Sequence, residues 1–133
     1  MAEEIINAMK EGRSVVVSYN EAGEPVIEPY RGISKARLGK GELKGVRKRK
    51  PKAPANVVKT AGRIAEKLIE NRIPFRVIVG RGEVEVRFTL DQYIKLTKDG
   101  EAKLVGFRSE EDHPINLIKE ELTGLKISLL KPL

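Results

Sequence analysis

Val57, Val58, Ala61, Ile64, Ala65, Leu68 and Ile69 recur at the i, i+1, i+4, i+7, i+8 spacing of one helical face. Lys59, Arg63, Glu66, Lys67 and Glu70 fall opposite them. This spacing predicts an amphipathic helix over 55–72, stopped by Pro74. A period of two then takes over. Phe75 to Val79 reads as a strand, Gly80-Arg81-Gly82 as a turn, and Glu83 to Leu90 as a second strand, with Val84, Val86 and Phe88 alternating against Glu83, Glu85 and Arg87. Gln92 to Thr97 and Glu101 to Arg108, joined by Lys98-Asp99-Gly100, complete a meander.

Before the helix, residues 2–11 predict a short helix with Ile5, Ile6 and Met9 on one face, Glu3 and Glu4 at its positive end and Gly12 as its stop. Ser14 to Tyr19 and Val26 to Ile33 read as a hairpin, with Pro25 and Pro29 fitting an edge. After the meander, Pro114 can open a last helix on which Ile115, Ile118, Leu122 and Leu125 form a short coiled-coil-like seam. The chain then runs Ile127-Ser128-Leu129-Leu130-Lys131-Pro132-Leu133, apolar for a terminus. The expected fold class is α+β. An antiparallel sheet packs with the amphipathic central helix, short helices lie near both ends, and 133 residues form one domain with a basic arm or long hairpin at 31–54.

Charge changes this picture most. The stretch from Arg31 to Lys52 holds Arg31, Lys35, Arg37, Lys40, Lys44, Arg47, Lys48, Arg49, Lys50 and Lys52 against the single acid Glu42. It carries +9 and the remaining residues −2, against +7 for the whole chain. Like charges concentrated this way repel each other, and a polyanionic partner is the usual reason for tolerating them. Nucleic acid leads, because Lys and Arg that displace condensed counterions gain affinity directly. A solvated loop, or a nuclear-localisation address at Arg47–Lys50, are the other readings of the segment. Fully extended, it would reach about 70 Å.

Only six aromatic residues are present, Tyr19, Tyr30, Phe75, Phe88, Tyr93 and Phe107. Phe75 and Phe88 fall with the apolar set of the meander and read as core. Tyr93 and Phe107, near Arg87, Lys95, Lys103 and Arg108, are the candidates for stacking on unpaired bases. The seam residues, together with Leu129 and Leu130, are candidate oligomer contacts, packing on the chain's own sheet being the alternative.

Other chemistry is sparse. The chain has no Cys, so thiol catalysis and Cys-based zinc sites have no residues here, and its one His, His113, cannot make a His-rich metal site. Glu110-Glu111-Asp112 reads as a solvated loop before a helix. Gly39-Lys40-Gly41 and Gly80-Arg81-Gly82 lack the rest of a phosphate-loop signature. The expectation is a non-enzymatic protein without a cofactor. No apolar run approaches a membrane span, and Met1-Ala2-Glu3-Glu4 is acidic where a signal peptide is basic, which suggests a cytoplasmic protein. Five Asn, one Gln, two Met and no Cys, beside abundant Glu, Lys, Arg, Ile and Val, fit hyperthermophile usage.

With its basic N-terminal half, the helix at Val57–Ile69, the meander at Phe75–Arg108 and the apolar C-terminal end, the chain resembles the archaeal ThermoDBP-type single-stranded-DNA-binding proteins. That resemblance implies a small homo-oligomer, a dimer or tetramer, holding single strands in a cleft of apolar and basic side chains. The long C-terminal leucine zipper of that family has only the short Ile115–Leu125 seam as its counterpart here. A second, local likeness runs through Ile5–Arg13, Val15–Tyr19 and Val26–Tyr30, which resemble the opening of a WYL-type regulatory domain. The expected function is binding of single-stranded DNA or RNA with little sequence preference. The alternative is a regulatory or scaffolding module docking an acidic protein or ligand.

Overall fold

The computed structural model describes residues 2–30, 54–89 and 91–131. The ten basic candidates from Arg31 to Lys52 therefore lie outside the described residues. The elements are α1 (Ala2–Lys10), β1 (Val15–Tyr19), β2 (Pro25–Pro29), α2 (Ala55–Glu70), β3 (Phe75–Gly80), β4 (Glu83–Arg87), β5 (Tyr93–Thr97), β6 (Glu101–Val105) and β7 (Lys126–Leu130). Two short 3-10 turns, Ile115–Leu117 and Lys119–Leu122, stand between β6 and β7. The fold class is α+β. One seven-stranded sheet runs β2-β1-β3-β4-β5-β6-β7, antiparallel throughout except for the parallel pair β6–β7.

Alternation decides which side of the sheet is covered. Val15, Val17, Phe75, Val77, Val79, Val84, Val86, Ile94, Leu96, Ala102 and Leu104 are all buried, and each occupies an inward position of its strand. They meet Val57, Val58, Ala61, Ile64, Ala65 and Leu68 of α2, and Ile5, Ala8 and Met9 of α1. The predicted apolar stripe of α2 is thus its core face. The helices lie on this one side, and the opposite sheet face is left without a covering layer among the described residues.

Helix ends follow local backbone chemistry. Gly12, at φ 77°, ends α1. Its N–H donates to the Met9 carbonyl and that of Arg13 to the Ala8 carbonyl, the two bonds of a left-handed C-terminal cap. The same pair closes α2, where Arg72 donates to Ile69 and Ile73 to Leu68. Here Arg72 holds the left-handed position at φ 50°, so the helix stops before Pro74 can act.

Tyr19 ties the hairpin to this corner. Its hydroxyl donates to the Ile73 carbonyl at 2.7 Å. Burial pushes that phenol up, with the Arg72 charge partly offsetting. The folded protein thus favours the neutral form. The contribution is whole below the ordinary phenol value of 10.0 and fades as pH rises through the raised one. Tyr19→Phe should cost about 1 kcal/mol near neutral pH. In thermal melts the unmodified protein's advantage over this variant should shrink as pH rises above about 10; a constant gap would refute the account.

The C-terminal third departs from the sequence reading. No α-helix forms over 114–125. Two 3-10 turns place Ile115, Ile118 and Leu122 in the chain's own core, at 0%, 0% and 1% exposure, with Leu125 packed against it. A spacing of three residues is also the 3-10 repeat, so the seam pattern is met without an α-helix. Ile115, Ile118 and Leu122 are consequently spent on intramolecular packing and present no oligomer contact. Leu129 and Leu130 remain exposed, at 45% and 43%.

Candidate functional site

The uncovered sheet face can be read from the strand register. One line of neighbours crosses all seven strands: Glu28, Val16, Arg76, Arg87, Tyr93, Val105 and Leu130. A second line runs Ile78, Glu85, Lys95, Lys103 and Ser128. Neighbouring strands are about 4.8 Å apart, so β2 to β5 spans about 19 Å.

Two aromatic–cation contacts sit along the first line. The Arg87 guanidinium lies 4.3 Å from the centre of the Tyr93 ring, and Nε also bonds Glu85 Oε1 at 2.9 Å. Arg87 is thus held from two sides, by the ring and by the carboxylate. Arg76 lies 5.5 Å from the centre of the Tyr30 ring. Arg76 and Arg87 are direct cross-strand neighbours, as are Lys95 and Lys103. Like charges directly opposite each other destabilise a sheet, and an anion between them relieves that cost. Lys95 is also within 3.5 Å of Glu83 Oε2. Of the acids of this face, Glu83, Glu85 and Glu101 stand toward the β3–β4 turn and Glu28 at the β2 edge, so the Arg76–Arg87–Tyr93 stretch between them is the cationic part.

Beside that stretch lies a notch of about 350 Å³, lined by residues that include Val16, Ser18, Pro74, Arg76, Arg87 and Thr89. It is open to solvent along one side and walled by the two arginines. Apolar side chains, two arginines and the hydroxyl-bearing Ser18 and Thr89 suit a flat, partly polar group.

The sequence candidates divide on this geometry. Arg87, Tyr93, Lys95 and Lys103 share the open face. Arg108 is exposed but lies in the loop beyond β6, where its N–H bonds Asp112 Oδ2 at 2.6 Å. Phe107 is a correction. It is 6% exposed and meets Phe88 edge-on, with ring centres 6.0 Å apart, so it belongs to the core and presents no stacking surface. Alternation from Lys103 and Val105 would place residue 107 on the open face. Gly106, at φ 85°, turns the chain over and sends the ring inward.

Two residues of the site were passed over in the sequence. Arg76 stands between Phe75 and Val77, both inward, so the alternation already put it on the outer face. Tyr30 stands two positions after Glu28 on the outer side of β2, and its N–H donates to the Ser14 carbonyl at 2.9 Å. Tyr30 is also the last described residue before the basic segment, and Pro54 the first after it.

Among the described residues no group of three or more His, Asp or Glu side chains could hold a metal ion, and no helix is long and apolar enough to cross a membrane. Comparison with protein families, with curated proteins and with solved structures gives no match.

Proposed function

We propose that the protein binds single-stranded nucleic acid, with the basic segment tracking phosphates and the open sheet face receiving bases. The observation that carries this reading is where the segment joins the body. The +9 stretch begins next to Tyr30, whose ring lies under Arg76 at the cationic part of the open face. From there the line continues through Arg87 to Tyr93. A backbone held by the segment would have its bases delivered to Tyr93, to the guanidinium planes and to the notch beside them.

The division of labour is physical. Phosphate contacts supply affinity without sequence information, and every base has a face to stack. A duplex keeps its base faces stacked internally and cannot use Tyr93 in this way. Contacts to phosphates and to base faces carry little base identity, so binding should depend little on sequence.

Anisotropy titrations of mixed-sequence single-stranded DNA, the matching RNA and a duplex, each over a range of salt, test the reading. Tyr93→Ala should weaken single-strand binding by about 1–3 kcal/mol and duplex binding much less. Its melting temperature should stay close to that of the unmodified protein, because Tyr93 lies on the uncovered face. Equal losses for single strand and duplex would remove Tyr93 from the site. No binding to any of the three polymers at low salt would defeat the proposal as a whole.

A further inference from the structure

The two edges of the sheet are built differently. On β2, the Tyr30–Ser14 and Asn20–Glu24 bonds place residues 26, 28 and 30 in the ladder to β1. Positions 25, 27 and 29 therefore face outward. Two of the three are Pro25 and Pro29, which have no N–H to offer, and the edge is blunted in the usual way.

β7 has no such protection. Lys126 N–H donates to the Gly100 carbonyl and Gly106 N–H to the Leu130 carbonyl, both at 2.9 Å. In a parallel pair this parity commits Lys126, Ser128 and Leu130 to β6. Ile127 and Leu129 are left with N–H and C=O groups facing outward, and among the described residues nothing pairs with them. Leu129 and Leu130 are also the two exposed large apolar side chains of the described residues.

We infer that β7 pairs with β7 of a second copy, antiparallel about a twofold axis at Ser128. This register is self-complementary. Ile127 would exchange both backbone bonds with Leu129 of the second copy, and Leu129 with Ile127, so every outward group of the strand is satisfied. Ile127 and Leu129 side chains would meet on the helix-covered side and shield each other. Lys126 would stand opposite Leu130. A parallel in-register pairing would instead oppose Lys126 to Lys126 and leave no isologous closure. The two sheets would join edge to edge, with their open faces on the same side. This inference does not depend on the nucleic-acid reading.

The pairing can be tested by cysteine placement, since the chain has no Cys. Ser128→Cys puts two thiols directly opposite across the axis, at a separation that a disulfide tolerates. Mild oxidation should convert most of this variant to a species of twice the mass. Ile127→Cys and Leu129→Cys should each resist linking alone and link when mixed. Leu129→Pro removes an outward N–H without touching the β6 ladder, so it should give a monomer in sedimentation while the unmodified chain is a dimer. Leu129→Lys, an edge charge, should do the same and covers the case in which the proline variant fails to fold. A monomeric unmodified chain at micromolar concentration overturns the inference. So does an oligomer that survives both Leu129 changes or leaves Ser128→Cys unlinked.

Discussion

Replacing Arg47, Lys48, Arg49 and Lys50 together by Ala should remove most of the salt dependence of single-strand binding. Each phosphate neutralised on a single strand contributes about −0.7 to the slope of log affinity against log salt. A segment that uses four to six phosphates gives a slope of roughly −3 to −4, and losing four contacts takes away about 3 of it. Raising salt from about 50 to 200 mM should then cost the unmodified protein about 50-fold more affinity than the variant. The loss should be alike for different sequences, because phosphates carry no base identity. Stability should hardly change, or rise slightly, since four like charges are gone. Identical slopes for the two proteins would show that the segment does not touch phosphate. Open-face residues alone would then have to explain any binding.

Gly106→Ala should be the most damaging methyl addition among the described glycines. Gly106 adopts φ 85°, and a Cβ there would stand 2.0 Å from the Asp91 carbonyl oxygen and 3.2 Å from Gln92 Cα. Both neighbours are backbone, so nothing flexible can give way. Gly100 is the control, with φ 81° and nothing within 4 Å of the added carbon. Gly100→Ala pays only for left-handed backbone, about 1 kcal/mol. Gly106→Ala adds displacement of the strand start and should cost about 3–4 kcal/mol. That corresponds to a melting temperature lower by about 10–15 °C for a chain of this size. Similar melting temperatures for the two variants would mean that the β5–β6 corner relaxes around a methyl group.

The same corner shows why part of the site was hidden in the sequence. Val84, Val86, Glu83, Glu85 and Arg87 alternate without a break, so their faces could be assigned from the residues alone. Tyr93, Lys95 and Lys103 followed in the same way. Phe107 did not, because one left-handed glycine reverses the phase and alternation has no means of registering it. The Ile115–Leu125 spacing was ambiguous for another reason. Steps of three and four residues serve an α-helix and successive 3-10 turns equally well. The parallel pairing of β7 depends on a return across the end of the sheet that no local pattern encodes. Arg76 and Tyr30 were legible but had no partner until the register brought them together.

Strand order bears on how the basic segment can change over time. Apart from β1–β3, every adjacent pair of strands in this sheet is also consecutive along the chain. The β1–β3 pair is joined through a long stretch, Val17 to Phe75 at its shortest, and the basic segment lies inside that stretch. Closure entropy grows with the logarithm of length. Shortening the bridge from about 58 to 36 residues would alter its cost by only about 0.4 kcal/mol. Closure entropy therefore places almost no limit on how many residues connect Tyr30 to Pro54. As far as closure entropy goes, a change of length there leaves the pairing of β1 with β3 almost unaffected, so the reach and charge of this stretch can vary while the sheet register stays the same.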